Sequence, residues 1–112
     1  RKDDGLINMN DERMNVIMGL IMNGGNAKSH AFQAIQLAKQ GEFNGAHDKI
    51  KEADSSLKSA HDVQTDMLTK EAQGEHTEID LYMLHAQDHL MNGITFRDIA
   101  VEIIDLYERL DS

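Results

Sequence analysis

The chain has 112 residues, no Cys, no Pro and no Trp, and a formal net charge of −9 from 11 Lys and Arg against 20 Asp and Glu. That length fits one domain, residues 1–112, with enough apolar residue to fold without disulfides or a structural metal. The charge argues against nucleic acid and anionic membrane as partners, and the lack of Cys excludes thiol catalysis, iron–sulfur clusters and Cys-ligated zinc. The longest apolar run, residues 16–22, is far short of the roughly 20 residues needed to span a bilayer, and no segment reads as a signal peptide. The expected location is the cytoplasm. The chain starts at Arg1 and not Met, so a short trimmed N-terminal piece is expected.

Only 4% of the residues are aromatic, and with no proline the composition favours long helices over a sheet. The first helix is expected over about residues 11–40, opened by Asn10-Asp11-Glu12 and closed by Gly41 after Lys39-Gln40. Its apolar stripe, Met14, Ile17, Met18, Ile21, Ala27, Ala31, Ala34, Ile35 and Ala38, is interrupted by Asn23-Gly24-Gly25-Asn26. Two glycines in mid-helix cost roughly 2 kcal/mol against alanine, so a kink or a close helix crossing is expected there, ahead of a functional hinge. The second helix is expected over 43–73. Phe43, Ala46, Ile50, Ala53, Leu57, Ala60, Gln64, Met67 and Glu71 recur alternately three and four apart, which is one helical seam. Gly74 ends it. The third helix is expected over 78–110, with Thr77-Glu78-Ile79-Asp80 in the form of a capping box. Short connections force neighbours to run antiparallel, so the expected fold is all-α, an antiparallel up-down-up three-helix bundle.

Helix three has more apolar surface than such a bundle needs. At about 100° per residue, Met83, Leu90, Ile94, Val101 and Ile104 share one arc and suit the core. Leu81, Phe96, Ile99, Ile103, Leu106, Tyr107 and Leu110 gather on the other side. A continuous second stripe marks an interface, and a homo-oligomer built on helix three is expected.

The same helix carries the densest chemistry. His85 and Asp88 are three apart and His85 and His89 four apart, so the three project from one face. On helix two, His61 and Gln64 stand beside the core seam at a similar level, and both helices are expected to present imidazoles to one pocket. Three readings of the histidines stand side by side. The His-x-x-x-His spacing suits a zinc clamp, yet a zinc hydrolase wants Glu after the first His, where Ala86 stands. The pair also suits hydrogen-bonded interface residues without chemistry. In the third reading a neutral imidazole attacks a phosphorus centre and carries the phosphoryl group, while a second imidazole and amides donate to its oxygens. Spacing does not choose among them. A carboxylate such as Asp88 on an apolar oligomer face needs a partner. Symmetric copies would repel unless a cation joined them, and an oxygen-only shell suits Mg²⁺ or another hard divalent cation. The alternative is Asp88 on a solvated rim.

The run His85-Ala86-Gln87-Asp88-His89-Leu90-Met91 resembles the signature of the lactose/cellobiose-type IIA component of the bacterial sugar phosphotransferase system. Further stretches resemble that family in order: Gly25-Asn26-Ala27-Lys28-Ser29, Gly41-Glu42-Phe43, Ala60-His61-Asp62-Val63-Gln64-Thr65, Glu71-Ala72-Gln73-Gly74 and Glu102-Ile103-Ile104-Asp105-Leu106-Tyr107. The resemblance spans essentially the whole chain. It implies a three-helix bundle assembled as a homotrimer. It implies that His85 takes a phosphoryl group from the phosphohistidine of HPr and passes it to a cysteine of the cognate IIB component, which serves the membrane component IIC. It also implies that copies of Asp88 gather round a metal ion on the trimer axis. His89, Gln87, His61 and Gln64 are assigned to shaping the site. The alternative function is a non-catalytic helical interaction module that uses the apolar face of helix three. The transported disaccharide is not written in this chain, because the sugar is read by the membrane component.

Overall fold

The computed structural model describes the backbone of residues 2–111 and the side chains of residues 11–111. Three helices make up the fold: α1 (Lys2–Lys39), α2 (Phe43–Ala72) and α3 (Leu81–Asp111). No strand occurs among the described residues. The two turns are closed as their glycines predict. Gly41 at φ 78° and Gly74 at φ 92° are left-handed, and each sits in a Schellman motif. Gly41 N–H donates to Ala38 O and Glu42 N–H to Leu37 O, while Gly74 N–H donates to Glu71 O and Glu75 N–H to Lys70 O.

Two helix starts differ from the expectation. α1 begins at Lys2 and runs through Asn10-Asp11-Glu12. Residues able to cap a helix do not start one where the chain before them contains no proline and can stay helical. α3 begins at Leu81 and not near residue 78. Asp80, not Thr77, is the cap, its carboxylate accepting the Met83 N–H at 2.9 Å.

The core lies in two clusters stacked along the bundle. One joins Ile17, Leu20 and Ala27 of α1 to Ala53, Leu57 and Ala60 of α2 and to Met83, Ala86 and Leu90 of α3. The other joins residues 31–38 of α1 to Ala46 and Ile50 and to Ala100 and Ile104. Rising numbers in α1 thus meet falling numbers in α2 and rising numbers in α3, which is the up-down-up arrangement. α1 packs against both other helices, whereas α2 and α3 meet over a much smaller stretch.

The seam read on α2 is the observed one from Ala46 to Ala60. On α1, Ile17, Ala27, Ala31, Ala34, Ile35 and Ala38 of the expected stripe are buried, whereas Met14 and Met18 are exposed and Leu20, outside that stripe, is fully buried. The Gly24-Gly25 pair is a close crossing, and the helix runs through it unbroken. A Cβ on Gly24 would lie 2.8 Å from the His89 carbonyl oxygen, and a Cβ on Gly93 would lie 2.8 Å from the Gly24 oxygen. The α1 and α3 backbones therefore touch there, an approach only glycine permits. Polar side-chain contacts tie both ends. Arg13 of α1 donates to the Asp80 carboxylate at 3.0 Å and to the Glu78 carbonyl at 3.1 Å, and His47 of α2 meets Glu108 of α3 at 2.6 Å.

Candidate functional site

His85 is the fifth residue of α3, one turn beyond the Asp80 cap. Its side chain is exposed, and it makes no hydrogen bond or ion pair among the described residues. Its one ring neighbour is His89, with centroids 5.4 Å apart and planes tilted by 40°. His89 is half-buried, turned towards α1, where its Nε2 lies against Gly25. The sequence-based pairing of these two imidazoles is therefore present, with His85 outermost.

Asp88 is exposed on the same face, and its carboxylate accepts a 3.1 Å hydrogen bond from the Asn92 amide. Asn92 escaped the reading of the sequence, although its position four residues after Asp88 is the signal that finds it. Among the described residues of one chain, no group of three or more His, Cys, Asp or Glu side chains is placed to hold a metal ion. A cation bound by Asp88 therefore needs carboxylates from several copies. Exposure and an all-oxygen donor set suit a hard cation in that setting.

The amide pair is placed elsewhere. Gln64 of α2 donates to the Gln87 oxygen at 2.8 Å, and the Gln87 amide faces the sulfurs of Met83 and Met67. Gln87 is two residues from His85, about 160° around the helix, and such residues do not face each other. His61 lines a groove of about 270 Å³ with Asp54, Lys58, Ile94 and Arg97, in which Arg97 grips the Asp54 carboxylate through Nε at 2.6 Å and Nη2 at 3.0 Å. That pairing holds the Arg97 guanidinium pKa above its ordinary value. The chain therefore does not bring His61 and His85 to one pocket. The physical reason is that α2 lies on the Gln87 flank of α3, and His85 opens on the far flank, beside α1.

The apolar face of α3 is partly as expected. Leu81, Ile99, Leu106 and Leu110 are at least half exposed, and they share the outward arc with His85 and Asp88. Phe96, Ile103 and Tyr107 instead pack against the second core cluster and are half-buried. On α1, Met14, Met18 and Met22 are exposed. With one turn between successive members, they form one apolar stripe on that helix.

The three-helix frame thus presents one exposed imidazole, His85, beside a half-buried one, His89, at the surface, where such a group can meet another protein. The comparisons give the family: residues 15–108 match the model of the PTS system, Lactose/Cellobiose specific IIA subunit. The chain belongs to the lactose/cellobiose-specific IIA family of the phosphotransferase system, whose members are sugar-specific phosphotransferase components. It is 59% identical over 102 residues to the cellobiose-specific EIIA component of Lactococcus lactis subsp. lactis, covering 91% of this chain and 88% of that protein. It is similar to the crystal structure of the cellobiose-specific enzyme IIA of Bacillus anthracis, with TM-score 0.82 and 45% identity over 87% of this chain and 89% of that one. It is also similar to the IIA(Chitobiose) solution structure solved in complex with HPr from Escherichia coli, with TM-score 0.75 and 37% identity over 88% of this chain and 96% of that one. No helix among the described residues is long and apolar enough to cross a membrane.

Proposed function

We propose that this chain carries a phosphoryl group on His85, taking it from the phosphohistidine of HPr and giving it to a cysteine of the cognate IIB component during disaccharide uptake through IIC. The observation that carries the reading is the exposed, unpartnered His85 ring beside His89 on α3. A neutral ring nitrogen of His85 attacks in line. The donor's N–P bond breaks as the new N–P bond forms, and the phosphoryl group passes across with its three oxygens. The next step breaks that bond and forms an S–P bond on IIB. The HPr complex of the related IIA(Chitobiose) supports HPr as the donor, and the exposed Met14, Met18 and Met22 of α1 offer an apolar, adaptable surface for docking. His89 shapes the site from within the same chain.

The remaining assignments need further copies. The exposed α3 stripe is the surface on which a homotrimer forms, and three copies of Asp88 supply an oxygen shell for a divalent cation, Mg²⁺ by donor type. The cation offsets carboxylate charge that would otherwise repel both the other copies and a phosphoryl group three residues away. Gln87, Gln64 and His61 face away from their own His85 and can shape the site only of a neighbouring copy. The protein works in the cytoplasm, and cellobiose, named for the Lactococcus lactis relative, is the leading sugar.

The test is intact mass after incubation with phosphoenolpyruvate, enzyme I and HPr. The native chain is expected to gain one acid-labile phosphoryl group and His85→Ala none. Phosphorylation that persists in His85→Ala refutes the site. No gain in folded native protein, with carriers shown to be active on another IIA, favours a non-catalytic helical interaction module instead.

A further inference from the structure

Gly25 has no packing role in the backbone crossing. A Cβ on the adjacent Gly24 would strike the His89 carbonyl and the Leu90 Cα, whereas a Cβ on Gly25 would meet only the His89 ring, 3.0 Å from Nε2 and 3.7 Å from Cδ2. Glycine inside a helix is costly, and one turn and a half earlier Gly19 has open space where a Cβ would go. We infer that Gly25 is a positioning residue for the histidine pair: lacking a side chain, it lets the His89 imidazole lie against α1 and so sets the distance and tilt at which His89 faces His85. His89 can yield only by moving its ring. Its own backbone is pinned at the Gly24 crossing, and the neighbouring Ala86 and Leu90 are fully buried. Added bulk at position 25 therefore displaces the ring and changes its distance and tilt to His85. The consequence for transfer rests on the carrier reading above, while the ring placement stands without it.

The experiment compares native protein, Gly25→Ala, Gly19→Ala, His89→Ala and the double variant Gly25→Ala/His89→Ala. Two readouts are used: imidazole NMR resonances, and single-turnover phosphoryl transfer from purified phosphorylated HPr. Gly25→Ala is expected to move the His85 and His89 ring resonances and to leave those of His47, His61 and His76 in place. It is expected to slow transfer by about tenfold, since a 1 Å misplacement at a reacting centre costs about 100-fold and the ring must give by less. Gly19→Ala should match native protein in both readouts. On the His89→Ala background the alanine at 25 should add nothing, because the group it displaces is gone. This comparison also decides the matter if Gly25→Ala alone folds poorly. Unmoved His89 resonances, or an equal loss with and without His89, overturns the inference. If native protein accepts no phosphoryl group, the carrier reading fails, and the resonances still decide whether Gly25 places the ring.

Discussion

Alanine at position 24 tests the architecture most directly. A Cβ there would stand 2.8 Å from the His89 oxygen, 3.0 Å from its carbonyl carbon and 3.1 Å from the Leu90 Cα, and all three are backbone atoms that cannot rotate away. Reaching ordinary contact at 3.4 Å requires α1 and α3 to part by about 0.6 Å. A gap of that size forfeits a quarter to a half of the dispersion well at each contact along the seam, and Leu20, Ala27, Ala86 and Leu90 are all fully buried there. Overpacking of this kind costs about 1–3 kcal/mol, and the better helix propensity of alanine returns about 1 kcal/mol. Gly24→Ala is therefore expected to be neutral or to lower stability by up to about 2 kcal/mol, while Gly19→Ala, with nothing near its Cβ, gains close to 1 kcal/mol. Urea denaturation followed by circular dichroism, at one fixed protein concentration so that any self-association affects each variant alike, reads the difference. Equal stabilisation by both alanines would show that the helices do not cross at Gly24.

Three further outcomes follow from particular contacts. Leu90 is fully buried between the helices, so Leu90→Ala should cost about 2–5 kcal/mol by thermal or urea unfolding. Arg13 and the Met83 N–H together hold the Asp80 carboxyl below its ordinary value of 3.8. A carboxyl so lowered adds stability above 3.8 that is lost as pH falls from there through its folded-state value. Asp80→Asn should lower Tm at neutral pH and flatten the acid limb of the Tm-against-pH curve, and an unchanged curve would deny the link. Asp88→Leu should leave His85 able to accept a phosphoryl group by intact mass, while sedimentation and metal analysis register altered assembly or a lost divalent cation. If it abolished phosphorylation of folded protein, the separation of the two roles along α3 would be wrong.

Periodicity succeeds where a helix has one partner direction. α2 carries a narrow seam, and every residue from Ala46 to Ala60 read from it is buried. α1 is sandwiched between two helices, and Val16, Ile17, Met18, Leu20, Ile21 and Met22 cover its whole circumference, so no apolar residue there is marked as core by spacing alone. The choice of Leu20 over Met18 is made by the crossing at Gly24. The two turns were legible because a left-handed C′ residue is written as glycine, whereas the start of α1 was not, because a potential cap is silent inside a helix. At the site, the shared face of His85 and Asp88 is a local matter of three residues. The placement of His61 and Gln64 depends on which flank of α3 the second helix occupies, and that is set by tertiary packing.

The fixed points of the bundle surround the histidine pair. The backbone contact of Gly24 with His89 and Gly93 sets the depth of α3 against α1, and the Arg13–Asp80 pair with the Asp80 cap sets where α3 begins. His85 lies between them, five residues after the cap and one turn before the crossing. The height along the bundle at which α3 presents it cannot change without breaking one of those contacts. On the proposed carrier reading, a helix held this way presents the acceptor for in-line transfer with little reordering of the bundle. On the same reading, two successive partners are admitted by side chains that adjust, and the exposed, unbranched Met14, Met18 and Met22 of α1 can repack against different surfaces while the frame stays in place.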